Sequence, residues 1–137
     1  MSGVLNAEKL IAIALRADPA LSDARFVATT PSRTDTPWVR ITQLDATDDA
    51  TSSVERWIEY YLQLDIYAGA DGGVPEANNL NRLCRLSLKA LQGTTLGTDA
   101  VVSEVRFTSN PRIPDSDVDE PARERFVLDT TIRMRPL

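Results

Sequence analysis

The chain has no histidine and a single cysteine, Cys84, among its 137 residues. Those gaps exclude Cys/His zinc sites, imidazole acid–base relays, and the Ser/His/Asp and Cys/His arrangements of nucleophilic enzymes. A lone cysteine closes no intrachain disulfide, and its setting in "NRLCRLSLKAL" reads as a small buried thiol ahead of a reactive or intermolecular one. No apolar run reaches the roughly 18 residues of a membrane span, and no basic n-region leads into an apolar h-region. A soluble chain with no membrane partner is expected. Basic residues are also in deficit, fifteen against twenty acids, and the formal charge of -5 argues against broad attraction to a nucleic-acid backbone without a local basic patch.

What remains is a chain of 42% hydrophobic residues, enough for a sizeable core in one compact domain spanning 1–137. "NAEKLIAIALRADP" predicts a helix over 6–16, with Asn6 as cap and Leu10, Ile11, Ala14 and Leu15 as its apolar stripe; Pro19 forces Asp18 toward extended geometry and ends it. "ARFVATT" reads as a short strand and "WVRITQL" as a half-buried one whose core face is ambiguous. The nine polar or small residues of "DATDDATSS", 45–53, read as a mobile connection. A long strand then runs over 54–68, with a bulge expected near Trp57. In its "YYLQLDIYA", Tyr60, Leu62, Leu64, Ile66 and Ala68 share one side and Tyr61, Gln63, Asp65 and Tyr67 the other.

"GADGG" lacks the spacing of a dinucleotide loop and the Lys-Ser/Thr pair of a phosphate loop, so it reads as a strand-to-helix turn with Pro75 in the following first turn. A second helix is predicted over 76–92, with Leu80, Leu83, Cys84, Ser87, Leu88 and Leu91 toward a sheet, Arg82, Arg85 and Lys89 in solvent, and Gly93 as its end. "AVVSEVRFTS" and "RERFVLDTTIRMR" supply two more strands. Hairpin-like strand pairs outnumber strand–helix–strand crossovers, so the fold class is α+β: a mostly antiparallel or mixed sheet with two α-helices packed on one face.

Chemistry is thinly represented. "PDSDVDE" places Asp115, Asp117, Asp119 and Glu120 at alternating spacing, but the glycine and distal glutamate of a calcium loop are missing, and a solvated loop is the expectation. Asp45, Asp48, Asp49, Glu55 and Glu59 read as surface acid; a small carboxylate-dependent hydrolase is the enzymatic alternative. No metal and no cofactor are expected. Trp38, Trp57, Tyr61 and Tyr67 first suggest core or helix contact and second a protein interface, since the neighbouring acids disfavour base stacking. Arg123, Arg125, Arg133 and Arg135 fall on one side of a regular last strand, where pairing with protein carboxylates is favoured over DNA. The candidate protein interface is therefore Trp57, Tyr61, Asp65, Tyr67, Arg123, Arg125, Arg133 and Arg135.

The whole order resembles the tail terminator (tail completion) family of long-tailed bacteriophages. The resemblance rests on "LIAIALRADPAL", "TPWVRITQLDA", "YLQLDIYAGADGGVPEANNLNRLCRLSLKAL" and "NPRIPDSD" with "RERFVLDTTIRMRPL". It implies a non-enzymatic α+β subunit of a homo-oligomeric ring, commonly a hexamer, at the head-proximal end of the phage tail. Such a ring ends polymerisation of the tail-tube protein and offers a surface to a head-tail connector or neck protein. DNA passes through without specific binding, and the subunit occupies the host cytoplasm during assembly. Leu64, Ile66 and Tyr67 match its long-strand element, and Arg133, Arg135 and Pro136 its strand end. "DATDDATSS" departs from the family in lacking a glycine after the first long strand, and another head-tail connector or neck protein shares the outline.

Overall fold

The computed structural model describes residues 5–22, 24–27, 37–48, 57–68, 73–107 and 125–137; of Val27, Asp48, Val74 and Arg125 it describes the backbone alone. The elements are α1 (Ala7–Arg16), a 3-10 turn (Pro19–Leu21), β1 (Arg25–Val27), β2 (Trp38–Asp48), β3 (Ile58–Tyr67), α2 (Gly73–Ala90), β4 (Thr95–Leu96), β5 (Ala100–Phe107) and β6 (Arg125–Pro136). One six-stranded sheet runs β1-β2-β3-β6-β5-β4. Among the described strands only β1 and β2 pair in parallel, so the sheet is mixed, and the fold is α+β as the strand pattern implies.

Local chemistry sets the helix ends. Asn6 accepts a hydrogen bond from the Lys9 amide at 3.1 Å, satisfying one of the free N–H groups of the first turn. Asp18 is extended, as a residue before proline must be, and its side chain caps the next turn at the Ala20 amide, 2.9 Å away. The second helix stops at Ala90, three residues before the glycine that was expected to end it. Gly93 instead holds a φ of +82° beyond the last turn, and its amide donates to the Val102 carbonyl.

Ala7, Ile11 and Leu15 of α1 and Ala77, Leu80, Cys84 and Leu88 of α2 bury against one face of the sheet. That face presents Val39 and Ile41 of β2, Tyr60, Leu62, Leu64 and Ile66 of β3, and Leu128, Ile132 and Met134 of β6. The ambiguity of β2 is thereby resolved: Val39 and Ile41 enter the core, and Trp38, Arg40 and Thr42 occupy the opposite face with Tyr67, Asp65 and Gln63, their register partners.

Two bulges keep acids out of this core. On β2, Gln43 pairs with Leu62 and Asp45 with Tyr61, leaving Leu44 extra and 58% exposed. Regular alternation would have turned Asp45 toward the helices; the extra residue returns it to the other face. On β5, Val102 pairs with Met134 and Glu104 with Arg133, with Ser103 extra, which spares Glu104 the same fate and restores Val105 to the core. The bulge expected near Trp57 borders residues 54–56, outside the described residues; β3 is regular from Ile58 onward, and the described irregularities lie on β2 and β5. Residues 45–48 also prove to be strand, because the amides and carbonyls of β3 from Ile58 to Tyr61 need ladder partners. Residues 49–53 lie outside the described residues, as do 54–56 of the expected long strand and the acidic "PDSDVDE".

Both helices are tied to the sheet beside these bulges. The Glu8 carboxylate accepts from the Gln43 amide at 2.6 Å. Lys89 donates to the Val105 carbonyl at 2.7 Å, and the Gln92 side chain accepts from the Val105 amide at 3.0 Å. Lys89 is thus engaged with the sheet, and Arg85 lies half-buried with its guanidinium 4.6 Å from the Phe107 ring centroid. Neither is the purely solvated charge that its place on the helix implies, because the short β4 leaves β5 polar groups and a ring for them to meet.

Cys84 is buried and free, as its setting predicts. Burial, with a smaller effect of the Asp18 carboxylate, pushes the thiol from its ordinary value near 9 up to about 12. Its ionisation therefore favours the unfolded chain, and this contribution to stability is lost as pH rises from 9 toward 12. Native protein at pH 8 is expected to resist an aromatic disulfide reagent until it unfolds, while urea-unfolded protein reacts at once; stoichiometric labelling of folded protein within minutes would contradict the buried placement.

Candidate functional site

The face of the sheet turned away from the helices carries the predicted interface residues whose side chains are described, and it divides into a buried centre and an accessible end. At the centre, the Asp65 side chain is 1% exposed, and its carboxylate accepts from Arg40 Nη2 at 2.9 Å and Arg40 Nε at 3.3 Å. Gln63 Nε2 adds contacts at 3.3 and 3.4 Å. Both guanidinium contacts converge on one carboxylate oxygen, which fixes the pair in orientation as well as in charge. Beside it, Trp38 and Tyr67 stack with centroids 4.0 Å apart and planes 13° from parallel. Trp38, Val127 and Thr131 are buried on this face too, outside the core beneath the helices.

At the other end, Trp57 just before β3 lies beneath two guanidinium groups of β6: Arg133 at 4.7 Å and Arg135 at 5.2 Å from the ring centroid. The alternation of β6 delivers both arginines to the same side, and Arg133 pairs in register with Glu59 on β3 and Glu104 on β5. Arg106 forms an ion pair with Glu59 and lies 3.6 Å from Glu104. Trp57, Tyr61, Glu59, Arg133 and Arg135 are all half-buried, and Arg106 is half-exposed, so apolar rings and mixed charge share an accessible strip.

The structure thus brings Trp57, Tyr61, Arg133 and Arg135 together, and sets Asp65 and Tyr67 toward the buried centre as partners of Arg40 and Trp38. Arg125 pairs with Tyr67 through the backbone, and its side chain lies outside the described residues, as does Arg123. Sequence reasoning missed Arg40, Glu59, Glu104 and Arg106 as members of this face. Arg40 carried a signal in its alternation with Trp38, but its pairing with Asp65 needs the β2–β3 register. Among the described residues no group of three or more acidic or cysteine side chains is placed to hold a metal ion, and no helix is long and apolar enough to cross a membrane.

The central ion pair is asymmetric, because Arg40 retains 30% exposure whereas Asp65 has almost none. Arg40→Ala leaves a buried carboxylate facing only Gln63 and is expected to cost about 3 kcal/mol. Asp65→Asn leaves Arg40 able to reach water and is expected to cost about 1–2 kcal/mol. Urea unfolding of both variants and of the double variant checks this; equal single costs would show that the pair behaves as an exposed one.

The chain matches the family described as Tail completion protein gp17 over residues 9–135, nearly its whole length. Among solved structures, it resembles a chain of the "Virion of native gene transfer agent (GTA) particle", with a TM-score of 0.70, 15% sequence identity and 93% of each chain covered. At that identity the likeness is one of fold. No curated protein sequence matches significantly. The span of the family match, from the first helix through the last strand, covers both helices and the sheet faces described above, and the chain belongs to the tail completion protein gp17 family, structural components of phage-type tails.

Proposed function

We propose that this chain is a non-enzymatic subunit that forms a closed ring at the head-proximal end of a phage tail tube, stops the tube protein from adding, and presents a surface for head–tail joining. The family match over residues 9–135 is the observation that carries this reading. The accessible end of the second sheet face supports it physically. Trp57 and Tyr61 offer area with polar edges, and Arg133, Arg135 and Arg106 alternate with Glu59 and Glu104, a mixed-charge strip that gives two subunits orientation as well as attraction. Tyr67, half-buried beside Trp38, extends the proposed contact along β3, and the sequence assigns Arg123 and Arg125, whose side chains lie outside the described residues, to the same contact. Six-fold closure is the stoichiometry we favour. The formal charge of -5 suits a ring through which DNA passes without being gripped.

Native mass measured over a concentration series, alone and with purified tail tubes, tests the ring. Six copies of a 15.1 kDa chain weigh about 91 kDa. That species, imaged by electron microscopy at the head-proximal ends of tubes, is the expected result. A monomer in both settings, or density confined to the neck, would overturn the reading. Trp57→Ala removes the platform under two arginines and is expected to weaken subunit association by about thirtyfold, equivalent to about 2 kcal/mol, while the monomer keeps its far-ultraviolet circular dichroism.

A further inference from the structure

On the helical side, an open groove of about 630 Å³ is lined by Pro75, Asn78, Asn79, Asn81, Arg82 and Arg85 of α2 and by Phe126 of β6. Its chemistry is unlike that of the strip on the opposite face. Two cations and three amides meet two apolar surfaces, and no described acid lines it. Asn81 is 5% exposed, yet its Oδ1 has no hydrogen-bond partner, and Nη1 of Arg85 is likewise buried without one. A buried polar atom left unpaired costs about 1–3 kcal/mol, and both atoms belong to residues that line the groove, so a turn of either side chain toward it would let an occupant complete them.

The two orphaned atoms have opposite needs, and that decides the class of occupant. Nη1 of Arg85 requires an acceptor, and the neighbouring exposed Arg82, held by Asn79 Oδ1 at 2.9 Å, adds a second cation for an anionic group. Asn81 Oδ1 requires a donor. A phosphodiester brings acceptors alone; a peptide with an Asp or Glu side chain brings carboxylate oxygens for the arginines and a backbone N–H for the asparagine. Phe126 and Pro75 give the stem of such a segment an apolar surface. The cation–π contact of Arg85 with Phe107 fixes that guanidinium in place before anything binds.

We infer that this groove is the socket for an acidic segment of a second copy of the same chain. Charge complementarity points to a copy of this chain: twenty acids against fifteen bases make its surface a net source of carboxylates, while its groove collects arginines. The contact is heterologous, groove to acidic segment, and such contacts generate rings when the rotation closes. The inference rests on the ring reading for its geometry, but its own test is separable from that reading.

A photoreactive benzoylphenylalanine placed at the exposed rim residue Asn78 of the full-length chain, irradiated with purified tail tubes present, reports what occupies the groove. The expected product is a dimer of about 30 kDa, joined through a peptide that contains Asp or Glu. Arg82→Glu, on an exposed position that does not endanger folding, is expected to lower the adduct yield about tenfold, and Arg82→Lys to leave it within about threefold. An adduct to the tube protein, to another protein or to DNA would overturn the inference, as would a dimer joined through a segment without carboxylates. Rings without the adduct would sink the socket and leave the ring standing. The dimer adduct without a closed ring would do the reverse, and neither species would sink both.

Discussion

The alternation of β3 is the constraint on which the rest of the structure depends. This strand is paired along its length on both edges, to β2 and to β6, so its register is set twice. A slip of one residue would send Asp65 beneath the helices and Leu64 and Ile66 to the other side. The Arg40–Asp65 pair stands against that slip, because the carboxylate has a guanidinium partner only in the observed register. A buried pair of this kind is a weak source of net stability, but it penalises the wrong alignment heavily.

The two bulges follow from the same constraint. Once β3 and β6 are fixed, the neighbouring strands must match their period of two, and β2 and β5 each carry an acid at a position where strict alternation would bury it. One extra residue in each strand, Leu44 and Ser103, restores the match. The helices then use the disturbed edges: Glu8 reaches the amide of Gln43, next to the first bulge, and Lys89 and Gln92 satisfy both backbone groups of Val105, close to the second. Helix docking and strand register are therefore parts of one arrangement, which leaves the sheet's opposite face to the stacked Trp38–Tyr67 pair and to the arginines over Trp57.

Much of this was legible in the residues. Asn6, the Asp18–Pro19 pair and the three- and four-residue spacing of Leu80, Cys84 and Leu88 are local signals, readable because the forces behind them act within a turn or two of chain. The second bulge is also written there, since Ala100, Val102, Val105 and Phe107 step by two, three and two within the strand that "AVVSEVRFTS" predicts. The first bulge left a fainter signature of the same kind: Val39, Ile41, Leu44 and Ala46 also step by two, three and two, but Leu44 is itself the extra residue and stays exposed, and the extension of β2 through residues 45–48 comes from hydrogen-bonding demands made by another segment. The groove on α2 was invisible for a related reason: Arg82 and Arg85 look like any solvated helical charge until Phe126 and Phe107, each from a different strand, are brought beside them.

The amino-acid sequence by itself determined the α+β class, the helix caps, the buried state of Cys84 and the apolar sides of β3 and β6, because burial and capping are decided by what each residue is and by its spacing from near neighbours. Only the tertiary structure decided that β1 joins β2 in parallel, that Asp65 is held by Arg40 while Arg133 and Arg135 gather over Trp57, and that Asn81 and Arg85 meet in one groove. Those outcomes join groups that lie far apart along the chain, and their energies depend on distance, register and exposure, quantities that exist only after the sheet has closed around β3.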